Sequence, residues 1–276
     1  MARVDRHNQV HFWRDREISG LSCLHADFTR HDFAPHSHAG FVIAVTEEGG
    51  ARFESRGDDG EAVPGRLLTF NPDEPHSGRL GTSPRWHYRA LYVDAPALDV
   101  VLAGLGLDRP AFFRDNSLAD PGLIAHFRAL HIVLEAGADR LQVEELLVGG
   151  FGQLFTRYGC GARPDAGPAR DRALLGSVVA RMEDQRTDTP GLEELGAAVG
   201  LTAFQLIGLF KRTTGLTPHA FLTQIRVRAA AGALKSGRSI ADAASLAGFY
   251  DQAALTNQFK RTFGVTPRQF AAAYAG

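Results

Sequence analysis

The chain has only two cysteines (Cys23 and Cys160), two methionines and three lysines in 276 residues. Two cysteines cannot build a disulfide framework, and they suit a reducing compartment. No apolar run reaches the roughly 18 residues needed to cross a bilayer. The opening segment, residues 1–17, is charged and lacks the apolar stretch of a secretory signal. These absences predict a cytoplasmic protein with no membrane partner. The sequence also has no nucleotide-binding glycine loop, no Gly-x-Ser-x-Gly elbow and no cysteine-nucleophile pattern, so it carries no signature of an enzyme. What is present is ordinary for a globular chain, 44% hydrophobic and 22% charged, and long enough for two domains.

The division falls at Gly159-Cys-Gly-Ala-Arg-Pro-Asp-Ala-Gly-Pro-Ala-Arg170, which has three glycines, two prolines and no hydrophobic period. We read residues 159–170 as a linker between a domain of residues 1–158 and one of residues 171–276. Residues 1–170 carry 18 basic against 23 acidic side chains, a net charge of −5. Residues 171–276 carry 12 against 8, a net +4, and hold all three lysines. An acidic part joined to a basic part fits a sensing module tethered to one that touches a polyanion.

Before residue 95 the pattern is that of short strands. Phe41–Val45, Arg66–Phe70 and Trp86–Val93 are β-rich, with the turn signals Gly57-Asp-Asp-Gly60 and Asn71-Pro-Asp-Glu-Pro75 between them. An antiparallel barrel or sandwich follows. Between 121 and 158 the period becomes helical. Leu123, Phe127, Leu130 and Leu134 form one stripe, and Leu147, Phe151, Leu154 and Tyr158 form another. Two such trailing helices pack on the barrel or pair with a second copy of the chain, so a homodimer is expected.

The second part contains a repeat. Phe210-Lys-Arg-Thr-Thr-Gly-Leu-Thr-Pro-His-Ala-Phe221 returns as Phe259-Lys-Arg-Thr-Phe-Gly-Val-Thr-Pro-Arg-Gln-Phe270, identical at eight of twelve positions. Upstream, Leu192–Leu201 aligns with Ile240–Phe249. Each copy reads as helix, tight turn, helix. In the first, Leu192, Leu195 and Val199 share a face, Gly200 stops the helix, Thr202 caps the next, and Leu206, Leu209 and Phe210 face inward. Gly215 ends that helix, and Thr217-Pro218 opens a longer one reaching about Lys235. In the second, Ile240, Ala243 and either Leu246 or Ala247 face inward, Gly248 turns, Asp251 caps, and Leu255 and Phe259 pack. Gly264 then stops the helix and Thr266-Pro267 opens the last one. Paired helices joined at a glycine turn form the unit that lays its second helix in the DNA major groove.

On Gly200-Leu-Thr, Phe210–Pro218, Ile225-Arg-Val-Arg-Ala229, Ile240-Ala241, Gly248-Phe249 and Phe259–Pro267, residues 171–276 resemble the DNA-binding domain of the AraC/XylS family of bacterial transcription regulators. The first part resembles the family's cupin-type ligand-binding and dimerisation domain on Pro35-His-Ser-His38, Gly65 and Asn71-Pro-Asp-Glu-Pro-His76. The resemblance implies an α+β chain of two domains: a cupin-like β-barrel with trailing helices, then an all-α domain with two helix-turn-helix motifs. It implies a DNA-binding regulator or activator controlled by a small-molecule effector, with double-stranded DNA and RNA polymerase as partners.

At 100° per residue, with Leu206 and Phe210 inward, the open face of the first reading helix carries Phe204, Ile207, Gly208 and Lys211. With Leu255 and Phe259 inward, the second carries Gln252, Ala253, Thr256, Asn257 and Lys260. Gln252 and Asn257 suit base edges, adenine above all, and Phe204, Ile207 and Ala253 suit thymine methyls. Lys211, Arg212, Lys260 and Arg261 suit phosphates, which set register without reading sequence. Solvated helix faces are the plain alternative for any one of them. Two reading helices in one chain enter successive major grooves, roughly 34 Å apart.

In the first domain, His36 and His38 share one face of a strand. In cupins they meet the motif holding His76, so the three histidines are candidate ligands of zinc or iron. The carboxylate that metal cupins add falls at Val42 or Ile43, which cannot ligate. The other use of these histidines is to line an effector pocket beside Trp86, Tyr88 and Tyr92, with Arg52 and Arg89 to pair with a carboxylate. A metal-dependent cupin enzyme with an accessory helical domain is the alternative to a regulator.

Overall fold

The computed structural model describes residues 8–137, 140–161, 168–188 and 190–275. It forms two compact units whose main division falls within residues 162–167. The strands are β1 (Asn8–Arg14), β2 (Leu21–Phe28), β3 (Asp32–His36), β4 (Phe41–Gly49), β5 (Ala51–Ser55), β6 (Asp58–Ala62), β7 (Leu67–Phe70), β8 (His76–Leu80) and β9 (Trp86–Val93); all lie in the first unit except β3, whose residues Phe33–His36 group with the second. After α1 (Ala95–Leu105) come the short strands β10 (Phe112–Phe113) and β11 (Ser117–Leu118), then α2 (Pro121–Ala136), α3 (Arg140–Tyr158) and β12 (Gly159–Cys160).

The strands pair out of chain order. One sheet runs β1-β2-β9-β4-β7-β11, a second contains β8-β5-β6, and β10 pairs with β12. Strict alternation gives the first sheet two buried faces. Leu21, Cys23, Phe41, Ile43, Val45, Leu91 and Val93 lie on one face and pack with Phe127, Leu130, Leu147 and Phe151 of the helices into one apolar core. Both helical stripes read from the sequence are therefore spent on this core, with Tyr158 packed against it half-buried. The other face carries Phe28, Val42, Ala44, Trp86 and Tyr88, also buried. α1 is an element the sequence reading passed over, although Asp94, Pro96 and Gly106 mark its two ends.

Residues 159–170, expected as a linker, divide into three parts. Gly159 and Cys160 pair with Phe113 and Phe112 as a short strand. Residues 162–167 lie outside the described residues. Ala169 and Arg170 already belong to a helix.

The second unit is helical: α4 (Ala169–Asp184), α5 (Leu192–Ala197), α6 (Ala203–Thr214), α7 (Pro218–Lys235), α8 (Ile240–Leu246), α9 (Gln252–Phe263) and α10 (Pro267–Ala272). α7 packs against α4 and α6 of the first copy and against α8, α9 and α10 of the second, so it is the shared spine. The caps explain the boundaries. Thr202 and Gln205 form a reciprocal capping box at α6, and Thr266 and Gln269 form another at α10. Thr217 caps α7, and Ser239 caps α8. Asp251 caps α9 through Ala254 N at 2.7 Å. At the second turn only glycine fits. Gly248 has φ of +81°, and a Cβ there would lie 2.4 Å from the Arg186 carbonyl oxygen. Leu195 is buried, but Leu192, expected on the same inward face, is 40% exposed at the first turn of α5. In the second copy Ala247 takes the inward place and Leu246 turns outward.

Candidate nucleic-acid interface and effector domain

The reading helices are amphipathic in the sense required. Leu206, Leu209 and Phe210 of α6 are completely buried, as are Leu255 and Phe259 of α9. Opposite them, Phe204 is 86% exposed. Gln252, Ala253 and Asn257 are exposed, and Ile207, Gly208 and Thr256 are half-buried. An aromatic ring left in water at the start of α6 costs hydrophobic free energy, and a partner surface recovers it.

Among the cations, Lys211 and Arg261 are exposed and Lys260 is half-buried. Arg212 differs: its Nε donates to Asp171 Oδ2 at 2.6 Å, tying α6 to the first turn of α4. A phosphate would have to compete with that carboxylate. Tyr250, outside the expected contact residues, is 98% exposed in the turn before α9. Its signal was available, since an aromatic wedged between the turn glycine and the Asp251 cap has no place in the helical core period.

Gly208 sits in the body of α6, and an added Cβ would meet only the flexible tip of Arg212, at 3.4 Å. Gly208→Ala is expected to raise the stability of the helical unit by about 0.5–1 kcal/mol, because alanine loses less backbone entropy. Denaturant melts of the two proteins check it; an unchanged or lowered midpoint would refute this account of the site.

In the first unit, His38 and His76 have ring centroids 5.3 Å apart, and the His38 ring meets the Tyr92 ring edge-on at 5.0 Å. His36, the third histidine expected here, ends β3 and groups with the second unit. Nδ1 of His36 bonds the Ala34 carbonyl at 2.7 Å, and Nδ1 of His76 bonds the Glu74 carbonyl at 2.9 Å. Each Nδ1 must carry a proton to donate, which puts the lone pair of both rings on Nε2. Burial holds His76 below the ordinary histidine range and so keeps it neutral. Trp86 stacks on Tyr88 at 4.0 Å and donates Nε1–H to Thr46 Oγ1 at 3.1 Å.

The two arginines proposed for this pocket are not in it. Arg52 is exposed on β5, between the buried Ala51 and Phe53. Arg89 follows Tyr88 on β9, and the period of two sends it to the opposite face of the sheet. There its Nε lies 3.1 Å from Glu47 Oε1 and its Nη1 lies 2.5 Å from Glu135 Oε2.

Arg89 belongs to a polar cluster between β2, β4, β9 and α2. Its guanidinium also donates to His131 Nδ1 at 3.0 Å, while His131 Nε2 donates to the Leu24 carbonyl at 3.1 Å. Burial, together with the Arg89 charge, holds His131 down at about 4, so the ring is neutral near pH 7. Burial opposes ionisation of Glu135, but hydrogen bonds from Arg89 and His25 outweigh it and hold the carboxyl at about 2.

The motif around residue 74 has a structural role. Glu74 is completely buried. It accepts from Ser55 Oγ at 2.7 Å and Asn71 Nδ2 at 2.6 Å, and its Oε1 lies 3.2 Å from Arg56 Nε. Asn71 in turn bonds the Phe113 backbone in both directions, at 2.8 and 2.9 Å.

Two comparisons of sequence bear on this geometry. Residues 19–149 match the AraC-like ligand binding domain family, and residues 195–273 match a helix-turn-helix domain family. The chain belongs to the AraC family of transcription regulators. It is similar to the uncharacterised HTH-type transcriptional regulator YbfI of Bacillus subtilis, at 27% identity over 80% of each chain. It is also similar to the HTH-type transcriptional activator RhaS of Yersinia pestis, at 26% identity over 86% of this chain and 88% of that one. The fold of ToxT from Vibrio cholerae, in a structure with a bound unsaturated fatty acid, covers the whole of this chain and 99% of that one. The TM-score is 0.54 at 11% identity. This AraC regulator thus pairs a β-rich ligand-binding domain with a helical DNA-binding domain, and among its described residues no helix is long and apolar enough to cross a membrane.

Proposed function

We propose that this regulator reads two successive major grooves with α6 and α9. Phe204, Ile207, Gly208, Gln252, Ala253, Thr256 and Asn257 face the bases, and Lys211, Lys260 and Arg261 face phosphates. The observation that carries this reading is the twin arrangement of fully buried inward faces with open outward faces on two capped helices. Arg212 joins the phosphate contacts only by exchanging Asp171 for the backbone. In this reading the chain is a cytoplasmic regulator and not an enzyme. It dimerises through α2 and α3, whose Ile132 and Leu141 are exposed apolar side chains, and contacts RNA polymerase as an activator.

The effector we assign to the barrel is a small, largely apolar molecule seated against Trp86, Tyr88 and Tyr92, its polar end near His38 and His76. Aromatic walls with a few convergent polar groups are the usual make-up of such a site. His36, His38 and His76 are our candidate ligands for a zinc or iron ion, since three imidazoles suffice for a site with one open position. Such an ion supplies, when bound, a Lewis-acid contact for the polar end of an effector.

The test is salt-dependent binding to the promoter DNA beside the gene, with every base pair of the site varied in turn. Asn257→Ala is expected to cost about 1–3 kcal/mol at one base pair and to leave the other positions unchanged. Lys260→Ala is expected to weaken all sequences alike and to lower the salt slope by about one. An unaltered sequence profile for Asn257→Ala would remove that residue from the readout.

A further inference from the structure

We propose a second metal site, built from His25, His87 and Glu47 on the helix-facing side of the six-stranded sheet. It takes a divalent ion of the zinc class and is separate from the three-histidine group in the barrel. His25 lies on β2 and His87 on β9, and the register sets them as diagonal neighbours on one face: Asp27 pairs with His87, and His25 with Arg89. Glu47 comes from a bulge in β4, where the pairing steps from Thr46–Tyr88 to Glu48–His87 and leaves Glu47 as the extra residue. Bulges of this kind re-aim one side chain, and they recur beside functional sites.

The three ligand atoms form a triangle. The two Nε2 atoms are 2.8 Å apart, and each lies 3.6 Å from Glu47 Oε2. Ligands held at 2.0–2.1 Å around a tetrahedral ion stand about 3.3 Å from one another, so the observed edges straddle the required one. Small rotations of the two half-buried rings close the difference. Two imidazoles and a carboxylate leave one position open for water or a partner.

The surroundings hold these groups in ligating form. Nδ1 of His25 bonds Glu135 Oε1 at 3.1 Å, the carboxylate–histidine pairing that fixes a metal-binding tautomer with its lone pair on Nε2. Glu47 Oε1 accepts from Arg128 Nε at 2.8 Å and stands 3.1 Å from Arg89 Nε as an ion pair, so Oε2 is the oxygen turned to the imidazoles. The charges of Arg89 and Arg128 are balanced by Glu47 and Glu135, so the site is not cationic before the ion enters. On binding, His87 moves its ring proton from Nε2 to Nδ1. No proton is lost from the pair and no redox step is involved.

The experiment uses the full chain, stripped with chelator and titrated with Zn2+ or Co2+, and reads bound metal by elemental analysis, the visible Co2+ spectrum and the metal-induced rise in melting temperature. Wild type is expected to take up an ion at this site. His87→Gln and His25→Gln are each expected to lose that ion together with its melting shift. Glu135→Gln is expected to weaken affinity about 10–100-fold, and His76→Gln to leave this ion in place. Melts of the metal-free variants show whether each is folded, and the Glu135→Gln affinity stands as a second readout that keeps all three ligands. No uptake by wild type overturns the proposal. So does uptake unchanged in His87→Gln, or uptake abolished by His76→Gln alone.

Discussion

Glu74→Ala is expected to destabilise the first unit by about 3–5 kcal/mol, the usual cost of removing one partner from a buried ion pair. The carboxylate has no contact with solvent, and it collects the Ser55 hydroxyl, the Asn71 amide and the Arg56 guanidinium. Truncation removes the counter-charge of Arg56, whose side chain is only 14% exposed, and takes one acceptor each from Ser55 Oγ and Asn71 Nδ2. A hydrophobic loss of the same size would need a large core side chain. Both tryptophans, Trp13 and Trp86, lie in this unit, so their fluorescence reports its unfolding without interference from the helical unit. A shift in unfolding free energy below about 1 kcal/mol would show that the Asn71–Glu74 turn is held by something else.

Phe259→Ala is the counterpart in the second unit, with an expected cost of about 3–5 kcal/mol for emptying a fully buried aromatic site. The ring is 0% exposed and stands 4.6 Å from Phe263 and 5.1 Å from Phe270, centroid to centroid. It fastens α9 to α10, so its loss frees the second reading helix while α6 keeps its own core of Leu206, Leu209 and Phe210. The expected result is a footprint that loses the half read by α9, with specific affinity falling towards the non-specific level. The tryptophan-detected transition of the first unit is expected to stay in place. A full footprint with wild-type affinity would show that α9 does not contact DNA.

These two residues show how legible each unit is in the sequence. Phe259 belongs to a pattern that is local and repeated: a period of 3.6, a cap, a glycine stop, and the same order again 49 residues earlier. Such information lies within a dozen neighbours, which is why the span of α7 and the Thr202, Thr217, Asp251 and Thr266 caps follow from the residues. Glu74 sits in a turn that reads as ordinary loop. Its burial depends on Ser55, Arg56 and Asn116, which arrive from other parts of the chain. Arg89 is an intermediate case. Alternation alone separates it from Tyr88, and only the choice of which face meets the helices needed the structure.

By itself the amino-acid order determined the class of the protein. A duplicated helix–turn–helix pattern needs only backbone periodicity and glycine turns to declare itself, and those act over a few residues. Tertiary structure alone decided which polar groups share a site. β2, β4 and β9 lie side by side although some twenty to sixty residues separate them in the chain, and that pairing order brings His25, Glu47 and His87 together. Long-range strand pairing is set by how a whole sheet buries its two faces, and no short stretch of residues carries that information.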